Sequence, residues 1–356
     1  MNTDILVTGA GGYIGGSIVA DFASHRGGLL ETAKIHAAVR SKEQARSLSK
    51  LDVSVLQVDL SDQEALSGYV LRNDIGIIIH TATSIDAQVA LNLITALRRR
   101  RETSGKETFF VHTSGLSAFD ANTGWPFGEV KDSDPVFDLE KQSADSYIVR
   151  QVDVFIAEQT KAAGLTGVIV MPPTLHGRGT GTWNQLSPQI PALVKASLKH
   201  KQVYKFSENR EVILTHISDL TTFYAQLMEA ILQRKQLPTG EQGYYFTVSH
   251  AVAWWDILDR LAVAMHARGL VNEPTTKVWP SDEVAAESLG VPIKFAHSMW
   301  NSSPKVVCVN KDKIGWQPTW SRERLVESLD EEIDDFLELG MPKSSLLDSL
   351  KPGSRG

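Results

Sequence analysis

The stretch Asp4-Ile5-Leu6-Val7-Thr8-Gly9-Ala10-Gly11-Gly12-Tyr13-Ile14-Gly15 decides how the rest of the chain is read. Apolar and β-branched residues run straight into a glycine cluster, and helix-forming residues follow at once. That order predicts a buried strand, a tight turn and a helix N-terminus. Gly9, Gly12 and Gly15 fall at the spacing G-x-x-G-x-x-G, a variant of the dinucleotide-binding fingerprint. Gly9 is expected to make the turn, Gly12 to let backbone approach a pyrophosphate, and Gly15 to let the helix lie close on the strand. Tyr13 and Ile14 open that helix, whose unpaired N–H groups and positive dipole end face the phosphates.

Further strand and helix signals alternate outward from this start. His36-Ala37-Ala38-Val39-Arg40 predicts a second strand ending in a cation, and Val53-Ser54-Val55-Leu56-Gln57-Val58-Asp59 a third. Ser61 or Asp62 can cap the helix that follows. Ile75-Gly76-Ile77-Ile78-Ile79-His80 is a continuous apolar run, as a parallel strand buried on both faces requires. A helix then leads to Arg98-Arg99-Arg100-Arg101, which reads as a solvated C-terminus favoured by the dipole. Phe109-Phe110-Val111-His112-Thr113 and Gly167-Val168-Ile169-Val170-Met171 predict a fifth and a sixth strand, the latter stopped by Pro172-Pro173.

This alternation implies an α/β fold, a Rossmann-type doubly wound parallel sheet in the order 3-2-1-4-5-6. Residues 1–173 are expected to form the dinucleotide-binding domain, rejoined by about 207–234 through a strand at Val212-Ile213-Leu214-Thr215-His216. A smaller, partly interleaved α+β substrate lobe is expected from 174–206 and 235–340, and a frayed tail over 341–356. An amphipathic helix near the end carries Leu325, Leu329, Ile333, Phe336 and Leu337 on one stripe. Several tryptophans of the second half are expected in the core and some around an apolar pocket.

Composition narrows the function classes. The 356 residues are 42% apolar and 22% charged, ordinary values for a globular protein. A net charge of −6 supplies no basic field for nucleic acid or an anionic membrane. One cysteine, Cys308, excludes a disulfide framework or a cysteine-rich zinc site. No H-x-x-x-H or paired-carboxylate spacing argues for a metal. The first strand begins too early to leave room for a signal peptide, and no apolar run approaches the roughly 20 residues of a membrane span. The expectation is a cytoplasmic protein with a small-molecule substrate, with a homodimer left open.

Several segments together resemble the extended short-chain dehydrogenase/reductase superfamily, over roughly residues 4 to 265. Thr8-Gly9-Ala10-Gly11-Gly12-Tyr13-Ile14-Gly15 resembles its cofactor loop, Asp59-Leu60 its adenine-contacting pair, and His80-Thr81-Ala82 the segment behind the nicotinamide ribose. Thr113-Ser114 resembles the active-site serine strand. Pro172-Pro173-Thr174-Leu175-His176-Gly177 resembles the proline-rich turn, and His216-Ile217-Ser218-Asp219-Leu220 a later His–Asp segment. Within the superfamily the chain is most similar to fungal-type epimerase/dehydratase-like proteins. The resemblance implies that Gly9, Gly12, Tyr13, Ile14, Gly15, Asp59, Leu60, Thr81, Ala82 and Pro172 surround a nicotinamide dinucleotide.

Arg40, Ser41 and Lys42 bear on which dinucleotide. An acidic residue at the end of the second strand would bind ribose hydroxyls and repel a 2′-phosphate. This chain offers a guanidinium, a hydroxyl and an ammonium there, which suit a phosphate dianion. NADP(H) is therefore expected over NAD(H); Asp59 falls one strand later and is no counterargument.

The resemblance implies a Ser–Tyr–Lys site in which the lysine, four residues after the tyrosine, lowers the tyrosine pKa and binds the nicotinamide ribose. Ser114 fits the serine. Tyr147 fits the tyrosine, but Gln151 then stands at the lysine position. Aligning on Ala157-Glu158 gives Arg150 and Val154, and an intermediate register gives Val149 and Asp153. Every register lacks the lysine. Tyr147 remains a proton donor, with Arg150 as a candidate electrostatic stand-in, while His80 and His112 end their strands as candidate donors or structural residues. The expected activity is an NADP(H)-dependent oxidoreductase acting on a carbonyl, alcohol or conjugated alkene of a small apolar molecule. Loss of the lysine keeps two alternatives open: a non-redox isomerase, lyase or cyclase using the cofactor as scaffold, and an NADP(H)-sensing regulatory protein.

Overall fold

The computed structural model describes residues 3–343, so all but the first three residues of the tail expected over 341–356 lie outside the described residues. Strand β1 (Asp4–Thr8) is followed by α1 (Tyr13–Ser24), β2 (Ile35–Val39), α2 (Lys42–Leu48), β3 (Ser54–Gln57), α3 (Gln63–Arg72), β4 (Ile75–His80), α4 (Ala87–Ser104) and β5 (Phe109–Thr113). A two-residue β6 (Val130–Lys131) precedes α5 (Val136–Ser143), α6 (Ile148–Ala162) and β7 (Thr166–Met171). Then come β8 (Thr174–His176), α7 (Gln189–His200), β9 (Val203–Lys205), β10 (Glu211–His216), α8 (Ile217–Leu232), β11 (Tyr244–Phe246) and β12 (His250–Ala253). The last elements are α9 (Trp254–Ala267), β13 (Thr276–Val278), α10 (Asp282–Leu289), α11 (Ile293–Trp300), β14 (Val306–Val307), α12 (Lys311–Ile314) and α13 (Arg322–Leu339).

Seven parallel strands form the central sheet in the order β11-β7-β5-β4-β1-β2-β3. Six of them stand in the expected order. Their apolar runs are continuous because helices cover both faces. On one face Val7, Ile77, Ile79 and Val111 pack with Ile18 of α1 and Phe223 and Leu227 of α8. On the other, Leu6, Ile78 and Phe110 pack with Leu66, Leu93 and Ile156 from α3, α4 and α6.

Two strands are placed differently from the sequence reading. The segment 212–216 lies in β10, which pairs in parallel with β8 and antiparallel with β12 in a separate three-stranded sheet. Pro172 and Pro173 lack the N–H groups that a continuing ladder needs, so the chain leaves the main sheet and β8 begins a new one. The return to the nucleotide fold is made instead by α8, which packs on α1. The edge beside β7 is taken by β11, from a segment expected in the second lobe, with Tyr244 opposite Ile169 and Phe246 opposite Met171. All three β11 residues are buried.

The four arginines after residue 97 also differ from a uniformly solvated helix end. Arg100 is buried and donates from Nε to Asp74 Oδ1 at 3.0 Å and from Nη1 to the Glu107 carbonyl at 3.0 Å. Arg99 forms a two-pronged pair with Glu64. In the C-terminal lobe Trp254 and Trp300 pack with Leu325, Leu329, Ile333 and Phe336 of α13, whereas Leu337 is 50% exposed. Two buried carboxylates tie the ends of the chain to the fold. Asp219, at the start of α8, accepts from the N–H groups of Thr319 (3.0 Å) and Trp320 (3.1 Å) and from the Ser249 hydroxyl (3.1 Å). Glu332 of α13 accepts from the Gly177 N–H at 2.5 Å, and the Tyr13 hydroxyl donates to the Gly177 carbonyl at 2.6 Å. Among the described residues no helix is long and apolar enough to cross a membrane.

The contact of α1 with β1 generates a stability prediction. A Cβ at Gly15 would lie 2.5 Å from the Gly9 carbonyl oxygen and overlap the Thr81 hydroxyl. Ordinarily Gly→Ala inside a helix stabilises by about 0.5–1 kcal/mol. Gly15→Ala is expected instead to destabilise by about 1–3 kcal/mol, the usual cost of overpacking, with urea unfolding reading the sign of the change.

Candidate active site

Each parallel strand ends at the same edge of the sheet, and the ladder keeps those ends level. Thr8 stands beside His80, and His80 beside His112. The residues that follow the strands, Gly9, Arg40, Asp59, Thr81, Ser114 and Pro172, are thereby gathered along one rim. Ligands of open α/β sheets bind at this rim, where the strand order reverses, here between β1 and β4.

The glycine loop is shaped as its spacing implies. Gly9 has φ +70°, a conformation that favours glycine, and its carbonyl accepts from the Gly12 N–H at 2.7 Å. Gly12 is the N-cap of α1 and no side chain caps the helix, so the first-turn N–H groups are left for an anion. A Cβ at Gly9 would lie 2.8 Å from the Ala82 backbone, which closes the floor of the loop. Thr81 reinforces that floor by donating from Oγ1 to the Thr8 carbonyl at 2.7 Å. The cradle therefore fits a pyrophosphate.

Arg40, Ser41, Asp59 and Leu60 lie outward of the loop. Arg40 is exposed and forms no ion pair among the described residues. Ser41 caps α2 in a reciprocal box with Gln44, whose side chain lies under Gly11. Asp59 Oδ1 accepts from the Ser61 N–H at 2.9 Å, which holds its carboxyl below the usual range, while Asp62 is the N-cap of α3. The Leu60 carbonyl accepts from Asn92 Nδ2 at 3.0 Å, fixing the turn that carries the pair.

Beside the loop opens a cavity of about 1080 Å³. Gly12, Tyr13, Ile14, Thr81, Ser114, Tyr147 and Pro172 line it from the nucleotide fold, and Leu186, Phe295, Met299 and Pro304 face them from the other lobe. Lys294 and Lys343 are also in its wall, and no Asp or Glu among the described residues is. No tryptophan lines it, so the expectation that some would surround the pocket is not met. Gly9, Gly15, Ala82 and the outward residues shape its surroundings without entering it.

The cavity brings Ser114 and Tyr147 together but not Arg150. Tyr147, the N-cap of α6, points its hydroxyl to Ser117 Oγ at 3.2 Å, and burial raises its pKa above the ordinary tyrosine value. Arg150 is fully buried. It donates to the carbonyls of Ala118, Thr123 (2.7 Å) and Ser143 (3.1 Å) and to Ser146 Oγ (2.6 Å), so its guanidinium holds the 118–123 turn and does not reach the cavity as a stand-in for the lysine. Gln151 is exposed.

Asp153 was visible in the sequence as the alternative of one register and carried no role there. It is fully buried, and its Oδ2 lies 2.5 Å from Ser114 Oγ. Its Oδ1 is 3.5 Å from His112 Nε2 and has no hydrogen bond. Desolvation pushes the carboxyl up to about 8, against the lowering effects of Ser114 and Arg150. His112 and His80 are buried as stacked rings 5.4 Å apart, and desolvation holds His112 well below its ordinary value and His80 at about 4. Both are neutral near pH 7. Ser117 carried no signal, because a serine in a short turn is not distinctive.

Residues 5–238 match the family model described as NAD dependent epimerase/dehydratase family. No curated protein matches the chain. Among solved structures, the dTDP-glucose 4,6-dehydratase of Bacillus anthracis in complex with NAD is 14% identical at a TM-score of 0.61, with 95% of this chain and 97% of that one covered. The UDP-glucuronic acid 4-epimerase of Bacillus cereus, in complex with UDP-glucuronic acid and NAD, is 17% identical at 0.61, with 95% and 100% covered. Vestitone reductase from alfalfa is 16% identical at 0.59, with 95% and 99% covered. Identities this low speak for fold alone. The matched residues contain the glycine loop, the strand-end rim, Ser114 and Tyr147, and the chain belongs to the NAD dependent epimerase/dehydratase family.

Proposed function

We propose that the protein is an NADP(H)-dependent oxidoreductase acting on a carbonyl, alcohol or conjugated alkene of a small, largely apolar molecule. The observation that carries this reading is the meeting of Ser114 and Tyr147, from separate elements, in one cavity whose inner wall is the N-terminus of α1. Gly12, Tyr13 and Ile14 would hold the pyrophosphate, Arg40 and Ser41 the adenosine phosphate, and Thr81 and Pro172 the nicotinamide end. When bound, the nicotinamide supplies or accepts the hydride. Leu186, Phe295 and Met299 give the substrate an apolar wall and exclude water. Ser114 orients the substrate oxygen. Tyr147 donates a proton from its hydroxyl; with its pKa raised by burial it stays protonated through about pH 9, which makes it an acid and not a base.

This favours reduction over reactions that begin by removing a proton from an alcohol. The absence of lysine at the family position in every register supports a second, non-redox reading, an isomerase, lyase or cyclase. Incubation with a panel of aldehydes, ketones and enones separates the two. The reductase consumes one NADPH per product, whereas the non-redox enzyme forms product without net NADPH loss.

Arg40→Asp is expected to weaken NADPH binding by about 1.5–3 kcal/mol, the size of hydrogen bonds to charged groups, and NADH binding far less, as measured by calorimetry. Equal losses would remove Arg40 as the discriminator. Tyr147→Phe is expected to lower kcat by about 10²–10⁴-fold with NADPH affinity intact. The wild-type enzyme should show no rise in rate attributable to tyrosinate between about pH 6 and 9.

A further inference from the structure

Resting on the oxidoreductase reading, we propose that Asp153 is a positioning residue that sets the direction of the Ser114 hydrogen bond, so that Ser114 presents a donor to a carbonyl in one protonation state and an acceptor to an alcohol in the other. The geometry gives the pair little other freedom. His112 and Ser114, two residues apart on an extended segment, face the same side of the sheet, where Val152 and Ile156 of α6 pack beside Phe110. Asp153 stands between Val152 and Ile156 in sequence and meets both Ser114 and His112. The separation of 2.5 Å from Ser114 Oγ is that of a short, strong hydrogen bond, and Ser114 is the member of the pair that opens on the cavity.

No neighbour fixes Asp153 as a carboxylate. His112, from β5, is 3.5 Å away and held neutral by burial. Arg150, on the same helix, directs its donors to backbone carbonyls and Ser146. From α5, Glu140 faces it as a second buried carboxyl, which the Tyr244 hydroxyl of β11 holds at 3.0 Å; Tyr147 also lies within its field. Glu140 is itself raised well above its ordinary value by desolvation and by Asp153.

The two states have opposite consequences at the cavity. With Asp153 protonated, its Oδ2–H donates to Ser114 Oγ and the serine proton turns to the cavity, where it meets a carbonyl oxygen. With Asp153 ionised, the serine proton is drawn to Oδ2 and the Oγ lone pairs face the cavity, where they accept from an alcohol. The net change in this switch is the loss of the carboxyl proton to water: Ser114 Oγ gives its own proton to water as it takes the one from Oδ2. The proton given to the product remains that of Tyr147.

The test uses the full chain without cofactor, with γ-carbon-labelled aspartate followed by NMR. The resonance missing from Asp153→Asn is expected to titrate with a midpoint near pH 8. Ser114→Ala should move that midpoint upward by about one unit, because the serine hydrogen bond favours the charged form. A midpoint near the ordinary value of about 4, or one unchanged by Ser114→Ala, would overturn the proposal whatever the enzyme turns over. With NADPH and benzaldehyde, KM is expected to rise about tenfold per pH unit above the midpoint in the wild type and to stay flat in Asp153→Asn. The same KM profile in both proteins would also overturn it. An enzyme that consumes no NADPH with any carbonyl, yet shows the Asp153 midpoint and its Ser114 shift, would defeat the oxidoreductase reading and leave the coupling of the pair established.

Discussion

Everything at the rim depends on the close approach of Gly15 to Gly9. A helix can start directly over the end of β1 because neither residue carries a side chain at the crossing, and the Gly9 carbonyl fits into the space a Cβ at Gly15 would fill. That carbonyl also receives the Gly12 N–H, which turns the loop, and the Thr81 side chain closes the same corner from β4. The helix N-terminus is thus fixed against two neighbouring strands at once. The cavity, Ser114 and the entry to α6 are all placed relative to that corner by the level ends of the parallel ladder.

Beyond the corner, the site is organised by the distribution of charge between wall and interior. Among the described residues the cavity wall carries lysines and hydroxyls and no carboxylate, which suits an anionic cofactor. The carboxyls lie one layer deeper, at Asp153 and Glu140, where removal from water favours their neutral forms. Arg150 shares that layer yet is matched to carbonyl oxygens, which five fixed donors can satisfy without an ion pair. Among the described residues the cations in contact with the cavity are therefore Lys294 and Lys343, and not Arg150.

Much of this was legible in the sequence because it is local. The glycine spacing, the all-apolar run of β4 and the Pro172–Pro173 stop each carry their meaning within a few residues, and they suffice for the strand order as far as β7. Partner choice is not local. Tyr244-Tyr245-Phe246 reads as an apolar strand wherever it pairs, and only the open edge of β7 determines that it joins the main sheet. Residues 212–216 likewise carry no local sign of their sheet, since their partner β8 follows the prolines that redirect the chain. Arg150 looked available because a charge at helical spacing carries no sign of its burial. Two of the three carbonyls that hold it lie 27 and 32 residues earlier. Without a lysine to mark the register, nothing in the sequence ranked Asp153 above its neighbours.

The bond between Gly177 and Glu332 has a consequence for the order in which the protein can mature. The loop that begins the fold is completed late, because Tyr13 rests on the Gly177 carbonyl and Gly177 is held by a carboxylate 155 residues further on. On a ribosome adding about 5–20 residues per second, β1 and α1 wait many seconds for the helix that stabilises their partner turn. Contacts of such long range slow folding, since the chain must close a large loop before they reward it. The corner formed by Gly9, Gly12 and Thr81 needs only β1, α1 and β4, whereas the turn under Tyr13 is held at Gly177 only once α13 has docked. A nascent chain halted before α13 would present Gly177 without the Glu332 carboxylate that holds its N–H, so this support behind Tyr13 arrives after the loop's own contacts.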